Sequence, residues 1–123
     1  MSNMTSEQNH LFAVTDQNFE SLVLQSALPV IVDFWAEWCP HCHALRPGYE
    51  RLSTIYAGKV GFATMNADEN PLAPARFGVQ GLPTLILFNA GKPVTHIVGP
   101  HPNRLPQRIE QALAEITLPQ IQG

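Results

Sequence analysis

Apolar residues along the chain follow two rhythms. Residues 29 to 35, PVIVDFW, form a nearly unbroken apolar run with β-branched residues, the mark of a strand covered on both faces, as central strands of α/β sheets are. LFAV at residues 11 to 14 predicts a short first strand, and VGFATMNA and TLILF predict two more. Between these runs the rhythm is helical. TDQNFESLVLQSA brings Phe19, Leu22 and Val23 into helical spacing behind Thr15 and Asp16 as candidate caps. From Pro40 to Ala57, Leu45, Tyr49, Leu52 and Tyr56 recur at spacings of four, three and four. That spacing predicts a long helix, kinked by Pro47 and closed by Gly58.

PLAPARFG predicts a short helical turn ending at Gly78. NAGK separates TLILF from PVTHIV, a hairpin signal of four loop residues containing Gly. Asn103 is the expected cap of a last helix that carries Leu105, Ile109, Ala112, Leu113 and Ile116 on one face. Strands alternating with helices and ending in a hairpin define the fold class as α/β: a central mixed sheet flanked by helices, partly parallel, with an antiparallel edge at the C-terminal hairpin. No repeat or interdomain linker interrupts it. The expected division is a flexible tail over residues 1–10, one domain over 11–116 and a C-terminal tail over 117–123.

Composition narrows the function classes. A chain of 123 residues can bury a core without disulfide staples or structural metal. Its 7 basic and 10 acidic residues give a net charge of -3, and no basic run appears, so nucleic acid and anionic membrane are poor partners. Protein surfaces remain the expected target. The opening MSNMTSEQNH has neither a basic nor an apolar region of a signal peptide, and no segment approaches the length of a membrane span, so a cytoplasmic protein is expected.

Both cysteines lie in WCPHCH, residues 38 to 43. A bridge between residues three apart would remove little chain entropy from the unfolded state, which argues for chemistry rather than stapling. Three chemistries fit the letters: a redox dithiol, half of a zinc site, or a haem attachment signal completed by His43. Zinc would need further ligands from the scattered His10, His96, His101 or acids, none at paired ligand spacing. The predicted strand delivers the chain straight into Cys39 at a helix start, where unpaired N–H groups and the helix dipole stabilise a thiolate. Cys42 follows one turn later, close enough to form a bridge that opens and closes. Asp33 interrupts a strand whose faces should both be dry, so its pKa is expected to be raised. It sits where it can exchange a proton with Cys42. Pro83 opens a buried strand, which suits a first position or a turn. Trp35 suits the core and Trp38 a contact surface.

These residues together resemble the thioredoxin family. VDFWAEWC, GLPTLILF and the NAGK hairpin match in order and spacing, and the likeness covers nearly all of residues 11 to 116. The resemblance implies the thioredoxin fold with Pro83 cis and packed against the dithiol. It implies a protein disulfide oxidoreductase that passes through a mixed disulfide, with Cys39 as attacking nucleophile, Cys42 as resolving thiol and Asp33 as proton acceptor. By the same likeness Trp38, the backbone at Leu82, Pro83 and Gly99 form a groove for an extended substrate segment. No metal and no cofactor beyond the Cys39–Cys42 disulfide are implied. The implied partners are disulfide-containing proteins and a thioredoxin reductase, with the chain acting as a monomer. An oxidase or isomerase in an oxidising compartment is the alternative within the same chemistry.

Two positions depart from the family pattern. Pro40 and His41 stand where thioredoxins usually carry Gly-Pro, and that pair is typical of a bacterial periplasmic disulfide oxidase. Its inserted helical domain has no room here. His41 is expected to tune the site, either donating to the Cys39 thiolate or facing it as a cation, with the helix dipole favouring the neutral donor. Thr64 stands where thioredoxins often place a lysine near the buried Asp, so no cation is expected beside Asp33.

Overall fold

The computed structural model describes residues 9–116. Five strands form one sheet in the order β1-β3-β2-β4-β5: β1 Leu11–Ala13, β2 Val30–Trp35, β3 Gly61–Asn66, β4 Thr84–Asn89 and β5 Lys92–Val98. Three helices accompany them, α1 Pro40–Ile55, α2 Leu72–Arg76 and α3 Leu105–Leu113. The apolar runs sit centrally, as their pattern requires, and β2 is buried from Val30 to Phe34.

Alternation along β2 sends Ile31 to one core with Leu45, Tyr49, Leu52, Leu105 and Ile109 from α1 and α3. Val30, Val32 and Phe34 face the other core, with Phe19, Val23 and Ala73. Asp33 therefore lies on the α1 side of the sheet. Tyr49 fastens α1 to that side, its hydroxyl lying 2.8 Å from the Ala63 carbonyl and 3.0 Å from that of Ile31.

The antiparallel part of the sheet is wider than the hairpin alone. β3 runs parallel to both β1 and β2, whereas β4 is antiparallel to β2 and β5 to β4. The cause is the length of α2. Five residues span only about 7.5 Å, too little to carry the chain back along a strand, so β4 re-enters the sheet from the end where β3 left it. The turn between β4 and β5 is also tighter than the four loop residues expected. Asn89 pairs with Lys92, and Ala90 and Gly91 both take positive φ, 55° and 81°, the requirement of a two-residue hairpin loop.

Local caps differ most from the sequence expectation. The first helical stretch is a single π-helical segment, Glu20–Leu24, with Leu22 43% exposed while Phe19 and Val23 are buried. Asp16 does not cap it. Its carboxylate accepts from the N–H groups of Leu72 and Ala73 at 3.0 and 2.9 Å, which caps α2 across the fold. Thr15 Oγ1 does accept from Asn18 N, at 3.3 Å. Before α3, His101 rather than Asn103 is the capping side chain, its Nδ1 accepting from Asn103 N at 3.0 Å ahead of the 3-10 turn Pro102–Arg104. α1 ends at Ile55 and continues through Pro47, and Gly58 takes the positive φ of 82° expected beyond a helix end.

His10 already donates its N–H to Ser53 Oγ at 2.9 Å and Asn9 Oδ1 accepts from Leu11 N at 3.2 Å; residues 1–8 and 117–123 lie outside the described residues. Among the described residues, no helix is long and apolar enough to cross a membrane.

Candidate active site

Register places the chemistry at one end of the sheet. Phe34 pairs with Thr84, and Thr84 with Val98, so the segment leaving β2, the one entering β4 and the one leaving β5 meet there. These segments carry the dithiol, Leu82–Pro83 and Gly99. Gly99 N donates to Pro83 O at 2.9 Å, and the Leu82–Pro83 bond is cis.

Cys39 is the N-cap of α1 and Pro40 its first residue. Proline suits that position because its missing N–H would have had no partner in the helix. The Cys39 sulfur accepts from Cys42 N at 3.1 Å, so one of the unpaired donors of the helix start points at the sulfur that would become a thiolate. Added to the helix dipole, that bond stabilises negative charge on Cys39. The two cysteines are joined in a disulfide. Both are buried, together with Ala36, and Trp35 and Leu82 pack against them. Sulfurs paired with each other favour the dithiol over zinc or haem. Among the described residues no group of three or more His, Cys, Asp or Glu is placed to hold a metal ion.

Asp33 is fully buried on the face that α1 covers. Neither carboxyl oxygen has a hydrogen-bond partner among the described residues. Burial raises its pKa from the ordinary 3.8 to about 7, and Arg46 opposes that rise. Thr64 does pair with Asp33 across β2 and β3. The expected absence of a cation is nevertheless corrected, because Arg46 Nη2 lies 3.8 Å from Asp33 Oδ2. The charge comes from the helix instead of the neighbouring strand. Arg46 follows Cys42 by four residues, which keeps both on the same side of α1; that spacing is the signal by which the sequence could have shown it.

The rim holds the other candidates. Trp38 is 66% exposed, and its indole N–H donates to Asp68 Oδ2 at 2.8 Å. His41 reaches over Gly99, whose φ is +57°, and places Nε2 2.9 Å from Pro100 O. Leu82 is half-buried beside the cysteines. Asp33, Trp38, Cys39, Pro40, His41, Cys42, Leu82, Pro83 and Gly99 thus gather at or beneath one end of the sheet. Arg46 joins them, signalled only by its spacing from Cys42, and Asp68 and Pro100 join them without any local motif to announce them.

A mixed five-stranded sheet with a dithiol capping the helix after its central strand defines a thiol-disulfide oxidoreductase. The thioredoxin family profile matches residues 10–111. The chain is 41% identical over 103 residues to a thioredoxin of Alicyclobacillus acidocaldarius subsp. acidocaldarius, covering 84% of this chain and 94% of that one. It is 48% identical over 88 residues to a thioredoxin of Rickettsia bellii (strain RML369-C), covering 72% and 84%. Thioredoxin 1 of Nostoc sp. (strain PCC 7120 / SAG 25.82 / UTEX 2576) is 40% identical over 101 residues, covering 81% and 94%. This chain belongs to the thioredoxin family.

Proposed function

We propose that this oxidoreductase acts as a monomeric reductant of disulfide-containing proteins in the cytoplasm, with a thioredoxin reductase as its electron donor. The observation that carries the reading is the bond from Cys42 N to Cys39 Sγ at the start of α1, which favours a thiolate on Cys39. In the reduced protein the Cys39 thiolate attacks one sulfur of a substrate disulfide, and the other sulfur leaves as a thiolate that takes a proton from water. Cys42 then gives its proton to Asp33 and attacks Cys39 Sγ. The second substrate sulfur leaves with the electron pair of the mixed disulfide. Two electrons have passed to the substrate, and the protein holds the Cys39–Cys42 disulfide. Trp38, Leu82, Pro83 and Gly99 receive an extended substrate segment, whose main chain supplies affinity without demanding a particular sequence.

The test is reduction of insulin by dithiothreitol. Wild type should catalyse it, Cys39→Ser should abolish turnover, and Cys42→Ser should attack and stall as a mixed disulfide. Failure of Cys42→Ser to accumulate adducts would reverse the assigned roles.

A further inference from the structure

Asp33 is buried among apolar neighbours, and one guanidinium faces it. Arg46 Nη2 stands 3.8 Å from Oδ2, beyond hydrogen-bond length but well within the range of a strong charge interaction. An arginine at this place could simply lay its stem over the core with its head in water, as long basic side chains do. Three observations argue against that. The Arg46 side chain is only 27% exposed, and its Nε is buried without a partner among the described residues. Its guanidinium carbon lies 5.0 Å from the centre of the Trp35 ring, in cation–π contact. Trp35 is itself held by His43, whose ring meets it edge-on at 6.0 Å and whose Nε2 donates to Glu37 O at 2.7 Å. The guanidinium is thus seated on a fixed aromatic face and directed at a carboxyl with no hydrogen-bond partner.

We propose that Arg46 is a positioning residue for the resolving step, favouring against burial the charged form of the Asp33 carboxyl that takes the proton from Cys42. The proposal rests on the functional assignment of Asp33 above. The proton leaves the Cys42 thiol for Asp33, the resulting thiolate forms the Cys39–Cys42 bond, and the substrate thiolate departs as the mixed disulfide breaks. A carboxyl already protonated cannot accept that proton. Burial favours the protonated form, and Arg46 opposes it. The other titratable group shown to interact with Asp33 also comes from α1: Tyr49, whose own pKa is pushed up by burial and then by Asp33; Cys42, the proton donor of the proposal, is buried on the same helix. β3 and β4 flank it with Thr64 and Leu85, neither of them charged.

The experiment follows the Asp33 carboxyl by carbon NMR in the oxidised protein, where the cysteines do not titrate, and measures the pH profile of insulin turnover. Arg46→Gln should move the Asp33 midpoint upward by about one pH unit or more, and the rising limb of the turnover profile with it. Arg46→Lys should restore most of both. Arg46→Met, which keeps the cover over Trp35, serves where the glutamine variant folds poorly and should shift both in the same sense. In an Asp33→Asn background the replacement of Arg46 should leave the profile where it was. An unmoved midpoint with wild-type turnover intact overturns the role of Arg46 alone, as does a profile shift that persists in the Asp33→Asn background. Absence of turnover in the wild type overturns the functional reading and the proposal with it.

Discussion

His41 Nε2 lies 2.9 Å from the carbonyl oxygen of Pro100, 59 residues further along the chain. A carbonyl oxygen only accepts, so Nε2 carries a proton and donates it there. The neutral ring then has a bare Nδ1 and no second N–H for the Cys39 sulfur. A neutral donor to the thiolate, expected from the helix dipole, is incompatible with this bond, and stabilisation of the thiolate by a hydrogen bond from His41 needs the imidazolium.

Replacing Pro40 and His41 together by Gly and Pro should therefore raise the Cys39 pKa and make the disulfide potential more negative. Each unit by which that pKa lies below the ambient pH is worth about 1.4 kcal/mol, or roughly 30 mV. Thiolate absorbance and equilibration with glutathione measure the two quantities, which must move together. A potential that shifts at constant thiol pKa would remove His41 from the explanation.

Asp33→Asn should change how stability depends on pH. The buried carboxyl holds its proton up to about pH 7, whereas in the unfolded chain it loses it near roughly pH 3.9. Between those values the folded state binds the extra proton, so stability falls as pH rises and levels off above about 7. The asparagine variant should lack this fall and exceed wild type at alkaline pH by a few kcal/mol, about 4 at most. Its resolving step should be slower. Urea midpoints taken across the pH range decide the point, and parallel curves would remove the ionisation penalty assigned to Asp33.

Asp16 should matter to stability although it lies at the surface. Its two oxygens satisfy two N–H groups at the start of α2, a helix too short to hold itself. Asp16→Ala should lose about 0.5–2 kcal/mol in chemical denaturation. Asp16→Asn, which keeps one acceptor, should fall between.

Trp38 should carry substrate affinity and little of the fold. With most of the ring in solvent, Trp38→Ala should stay within about 0.5 kcal/mol of wild-type stability. Losing an exposed aromatic contact of about 1–2 kcal/mol at the rim of the groove should raise KM for a protein disulfide roughly 5–30-fold with kcat largely kept. An unchanged KM would place the substrate elsewhere.

How far each of these features can be read from the chain depends on how near its partner lies. The buried strands, the long helix with the dithiol at its start and the final hairpin all follow from periodicities and turn residues that act over a few positions. Cys39 as a helix cap is of the same kind, since its donor is Cys42, three residues away. Even the burial of Asp33 follows from its place in an apolar run.

What the sequence determined by itself was therefore the order of elements, the dithiol and the residues around it. Tertiary structure alone decided which partners those residues met. Asp16 looked like the cap of its own helix but satisfies a helix 56 residues on. Trp38 finds Asp68, and His41 finds Pro100, across similarly long separations. Arg46 and Asp33 face each other because α1 packs on β2 in one register, which brings helix periodicity and strand alternation into a single coincidence. Neither pattern contains the other. Such contacts are fixed only when the sheet and helix have packed, because a charge or a hydrogen-bond donor carries no mark of its partner until packing brings the two within a few ångströms.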